Sequence, residues 1–70
     1  MKLADKIMTL RRQKGWSQET LAEKLDVTRQ SVSKWESAQS VPDLDKILAL
    51  SELFGVTTDY LLKDGDMENE

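Results

Sequence analysis

Apolar residues recur along this chain three and four positions apart, and nowhere do they alternate as in a strand. The pattern predicts five short helices in succession, an all-α fold. The first runs from about Lys2 to Lys14, with Leu3, Ile7 and Leu10 on one stripe, and Gly15 ends it. Ser17 is placed to cap a second helix whose buried side is Leu21, Ala22 and Leu25. After a tight connection at Asp26 and Val27, Thr28 caps a third helix running to about Ser37. Residues 38–42 form a loop, and Asp43, following Pro42, opens a fourth helix. That helix carries Leu44, Ile47, Leu48, Leu50, Leu53 and Phe54, so broadly apolar that it is expected at the centre of the fold. Gly55 is its left-handed terminator. Thr57 then caps a short last helix containing Tyr60, Leu61 and Leu62. Residues 1–63 read as one domain, and residues 64–70, DGDMENE, as an acidic tail without an apolar anchor that should fray.

The third helix has two unlike sides. At 100° per residue, Arg29, Gln30, Ser33, Lys34 and Ser37 share an arc of roughly 140°. Val32, Trp35 and Thr28 lie opposite, with Glu36 at their edge. The exposed arc thus carries cations, an amide and hydroxyls, and no acid. Those are the side chains that reach DNA base edges and phosphates. Arginine matches guanine O6 and N7, and glutamine matches adenine N6 and N7, so Arg29, Gln30 and Lys34 are the candidates for base contact. Lys34 is equally suited to a phosphate. The bland alternative is a solvated helix face.

A net charge of −3 argues mildly against a polyanionic partner, but its distribution reverses that reading. In residues 1–36 eight lysines and arginines stand against five acids, and in residues 37–70 two stand against eight. One end of the molecule is therefore suited to a polyanion and the other is not. With no cysteine and no histidine, thiolate metal sites, disulfides and histidine-activated nucleophiles are excluded. No metal, cofactor or small-molecule ligand is expected, nor is an enzyme. No apolar run approaches the roughly 18 residues of a membrane span, and Asp5 and Lys6 interrupt any apolar signal core. A cytoplasmic protein is the default expectation.

The stretch Ser17–Ser37 resembles the Cro/repressor type of helix-turn-helix, the XRE-like regulators of lambdoid phages and bacterial genomes. Gln18, Leu21-Ala22, Val27-Thr28 and Ser31-Val32-Ser33-Lys34-Trp35-Glu36 carry the likeness. Downstream Pro42-Asp43-Leu44, Leu53-Phe54-Gly55-Val56-Thr57 and Leu61-Leu62 extend it over roughly residues 4–62. Two helices joined by so short a turn cross steeply, and Ala22 supplies the small residue their closest contact needs. The resemblance implies a five-helix repressor-like domain that binds a double-stranded DNA operator as a weak homodimer. It also implies that Gln18 contacts the phosphate backbone, with Thr28, Ser33 and Ser37 as further phosphate candidates. A first-helix Arg11 would pair with Glu36 across the packed helices, and the region of Val56, Tyr60 and Leu61 would double as core and dimer contact.

Two residues depart from the family pattern. Aspartate stands at position 26 and alanine at position 38, where the family favours glycine. Aspartate tolerates the left-handed region, so the same turn is expected there at a cost below about 1 kcal/mol. Alanine does not, so the third helix is expected to continue or tighten to 3₁₀ at Ala38, which disfavours phosphate contacts from Ser37 to Ser40. Two other roles fit the same fold. One is a protein-interaction module of antitoxin or anti-regulator type, suggested by the acidic second half. The other is the DNA-binding head of a longer sensor protein.

Overall fold

The first turn of each helix leaves backbone N–H groups without partners, and in four of the five a short polar side chain meets one of them. The computed structural model describes residues 2–63. Among these residues the helices are α1 (Leu3–Gln13), α2 (Gln18–Leu25), α3 (Arg29–Glu36), α4 (Leu44–Phe54) and α5 (Thr58–Leu62). Ser17, Thr28, Asp43 and Thr57 accept from the N–H three residues on, at 2.9–3.1 Å. The acidic segment 64–70 lies outside the described residues.

The helix ends follow one rule as well. In α1 to α4 the chain leaves through a residue in the left-handed region: Gly15, Asp26, Ala38 and Gly55, with φ of 76°, 59°, 63° and 70°. Each time the next N–H reaches back to a carbonyl five residues earlier: Trp16 to Arg11, Val27 to Ala22, Gln39 to Lys34 and Val56 to Ser51, at 2.9–3.1 Å. Asp26 behaves as expected. Ala38 does not, since the helix neither continues nor tightens. The two capping bonds, from Ala38 N–H to Trp35 and from Gln39 N–H to Lys34, offset the steric penalty of a Cβ in this conformation. Ala38→Gly removes that penalty and loses part of the gain to unfolded-state entropy. It should stabilise the domain by about 0.5–1 kcal/mol, raising the melting temperature by roughly 2–8 °C. A lower melting temperature would contradict the left-handed turn.

The core is built from one stripe of each helix: Ile7, Leu21, Ala22, Leu25, Val32, Trp35, Ile47, Leu50, Phe54 and Leu61. The third helix packs on α1 and α2, and the fourth packs on α5 and, less extensively, on α2. On α4 only Ile47, Leu50, Ser51 and Phe54 are buried, while Leu44 and Leu48 stay 68% and 47% exposed. Pattern alone exaggerated its burial because an all-round apolar helix does not say which side is covered. Trp16 sits half-buried, stacked on Phe54 with ring centroids 5.9 Å apart and with the Lys24 ammonium 4.7 Å from its own ring. It closes the seam between the α1–α2 turn and α4.

Candidate nucleic-acid interface

The α2–α3 pair is held at a fixed angle by small and medium apolar contacts. Ala22 is buried at the crossing, and Val27 fills the corner of the turn against the core. Val32 and Trp35 point α3 inward, at 0% and 6% exposure, so the opposite arc is forced outward. Arg29, Gln30, Lys34 and Ser37 are exposed on that arc, and Ser33 is half-buried. The outward face therefore carries Arg29, Gln30 and Lys34 together, and its one neighbouring acid, Glu36, is turned into the protein.

Glu36 is fixed by a three-residue network. Arg11 Nε donates to Glu36 Oε2 at 2.6 Å and an Arg11 Nη donates to Oε1 at 3.0 Å, a two-pronged pair between α1 and α3. A second Arg11 Nη donates to the Trp16 carbonyl at 2.8 Å, and Gln18 Nε2 donates to Glu36 Oε1 at 3.0 Å. The hydrogen bond to Glu36 raises the Arg11 pKa above its ordinary value, and burial opposes the rise without cancelling it. One carboxylate thus ties the end of α1, the start of α2 and the end of α3 into one rigid unit. Gln18 keeps its second N–H and its amide oxygen for an outside partner, next to the unpaired N–H groups of the first turn of α2.

The hydroxyl candidates differ from one another. Thr28 spends one lone pair on its cap and shares a hydrogen with Ser31 at 3.1 Å. Ser37 Oγ donates to the Lys34 carbonyl at 3.3 Å, so a phosphate contact there requires giving up that bond. Of the dimer-contact candidates, Tyr60 is 40% exposed and Val56 is half-buried. Leu61 is fully buried and faces the core, which removes it from any partner surface; its neighbour Leu62 is 55% exposed instead. Trp35 is buried and Trp16 is stacked on Phe54, so neither offers a free ring to unpaired bases.

One charged residue of structural weight escapes pattern reading. Lys6 is fully buried, with its ammonium on the carbonyls of Tyr60 and Lys63. A lysine inside the Leu3–Ile7–Leu10 stripe was the available signal. Among the described residues no group of acidic side chains could hold a metal, and no helix is long and apolar enough to cross a membrane. A shallow groove of about 140 Å³ between the start of α1 and the α3–α4 loop is smaller than the roughly 300–1,000 Å³ of small-molecule sites.

Comparison with known proteins agrees with this geometry. The family model described as "Helix-turn-helix" matches residues 7–61. The HTH-type transcriptional activator BcrR of Enterococcus faecalis is 39% identical over 67 residues, 96% of this chain and 33% of that protein. An uncharacterized HTH-type transcriptional regulator of Bacillus subtilis strain 168, the SPbeta prophage-derived YonR, is 41% identical over 59 residues, 84% of this chain and 55% of that one. The chain thus spans a third to about half the length of these curated relatives. Among solved structures, the P22 c2 repressor in complex with a synthetic operator superposes with a TM-score of 0.85 at 28% identity, covering 90% of this chain and 96% of the repressor chain. A LexA repressor from Eubacterium rectale, at 18% identity and a TM-score of 0.87, covers 97% of this chain and 72% of its own, and shares the fold. The match of the family model over most of the sequence settles the assignment: this chain belongs to the helix-turn-helix family, of the Cro/repressor (XRE-like) type.

Proposed function

We propose that the chain binds double-stranded DNA sequence-specifically in the cytoplasm and represses transcription by occupying an operator. The observation that carries this reading is the outward arc of α3, where Arg29, Gln30 and Lys34 stand together while the adjacent Glu36 is neutralised by Arg11. In helix-turn-helix repressors the second helix of the pair lies in the major groove, and dimers read half-sites about 10 base pairs apart. On that geometry Arg29, Gln30 and Lys34 face base edges. Gln18, Thr28 and Ser33 hold the phosphates, and Ser37 does so only at the expense of its bond to Lys34. The fold shared with a repressor crystallised on an operator supports the same docking.

Two copies sit on one operator as a weak homodimer. The contact is formed by Tyr60 and Leu62 with the edge of Val56. Asp59 on α5 and Lys63 just beyond it, opposite in charge and both exposed, flank it and can meet each other's counterparts across a twofold axis.

Gln30→Ala tests the base-reading role. Its expected effect is a loss of about 1–3 kcal/mol on the preferred site, with little change on random duplex. Titration of both duplexes by fluorescence anisotropy measures it. Equal losses on the two would show that Gln30 does not read a base.

A further inference from the structure

We infer that Lys6 is a positioning residue for self-association on DNA, acting through α5. The inference rests on the homodimer proposed above. Helix α5 has only five residues, too few to hold its shape alone, and its last carbonyls have no partner within the helix. Lys6, fully buried on α1, donates to one of them, that of Tyr60, and to the carbonyl of Lys63 just past the helix end, from more than fifty residues away in sequence. Its ammonium also lies 4.9 Å from the centre of the Tyr60 ring. Leu61 anchors the inner side of α5 in the core, so one lysine fixes both where the helix stops and how Tyr60 stands. The side so fixed is the one that exposes Tyr60 and Leu62 between Asp59 and Lys63. A weak interface gains most from such pre-ordering, because little conformational freedom remains to be lost on contact. Lys6 touches neither the DNA face nor the second copy. Its effect is to present α5 in one orientation.

The test compares the full chain with its Lys6→Met and Lys6→Arg variants on selected duplexes carrying one half-site or two. Methionine keeps the length and removes the donors, whereas arginine keeps them. Wild type should bind two half-sites cooperatively. Lys6→Met should match it within about twofold on one half-site and lose the cooperative gain by about tenfold, and Lys6→Arg should keep most of that gain. Amide exchange at Leu61–Lys63 of the free protein should quicken in Lys6→Met and not in Lys6→Arg. If Lys6→Met does not fold, Lys6→Gln, with one donor pair on a shorter stem, should show an intermediate gain. Full cooperativity in Lys6→Met overturns the inference, and so does an equal loss on single half-sites, which would mark Lys6 as a general support of the fold. A wild type that binds single half-sites tightly without any gain from a second would overturn the dimer, and this inference with it, while leaving DNA reading by α3 intact.

Discussion

Glu36→Ala should destabilise the domain by about 3–5 kcal/mol, the usual effect of removing one partner from a buried ion pair. The Glu36 side chain is 2% exposed and that of Arg11 is 11% exposed, so the guanidinium left behind has little access to water. Two Arg11 donors and the Gln18 amide lose their acceptor in one step. Domains of this size have total stabilities of only about 4–10 kcal/mol, so the variant should melt at least about 12 °C lower and be partly unfolded near physiological temperature. Arg11→Met combined with Glu36→Leu should be less destabilising than either charge deletion alone, because no orphaned charge remains. Thermal melts of the two single variants and the double variant decide the point. Losses below about 1 kcal/mol in the singles, or a double variant equal to their sum, would show that the network does not hold α1, α2 and α3 together.

The second large effect concerns salt. Among the exposed cations are Arg12 and Lys14 at the end of α1, and Arg29 and Lys34 on α3. The segment from Ser37 to Asp45, which follows α3, has no cation and two aspartates. With Arg29 on a base edge, Arg12 and Lys14 remain for phosphates and Lys34 is equally suited to one, so two to three neutralised phosphates per chain are expected. Counterion release then weakens binding by roughly 10- to 40-fold per chain between 50 and 200 mM salt. A chain with a basic α3–α4 loop would show a steeper slope. Anisotropy titrations over that range measure it, and an affinity unchanged within about twofold would leave no role for phosphate contact.

These expectations draw on features of unequal visibility in the sequence. The starts of α2 to α5 were legible at Ser17, Thr28, Asp43 and Thr57 because a cap is local chemistry, decided within three residues. The α3 face was legible for a similar reason: 100° periodicity places Arg29, Gln30 and Lys34 opposite Val32 and Trp35 whatever the rest of the fold does. Arg11 and Glu36, by contrast, are 25 residues apart, and only family resemblance suggested their pairing. Ala38 shows propensity overruled, since two backbone hydrogen bonds outweigh the penalty of a left-handed alanine. Helix α4 misled for a different reason. Leu44 and Leu48 are exposed while Ile47 and Leu50 on the same helix are buried, and hydropathy does not distinguish a covered leucine from a bare one. Leu61 and Leu62 are adjacent and chemically identical, yet one is buried and the other exposed. Lys6 was the least visible, because its partners are backbone carbonyls at the far end of the chain, which carry no sequence signature.

The central claim is that the outward face of α3 reads double-stranded DNA. Selection of binders from a random duplex pool, run with wild type beside an Arg29→Ala, Gln30→Ala, Lys34→Ala triple variant, tests it most directly. Wild type should enrich a two-fold motif with half-sites about 10 base pairs apart, centre to centre, and the motif should vanish in a variant that still melts cooperatively. No enrichment by the wild type, or the same motif recovered by the folded triple variant, would contradict it.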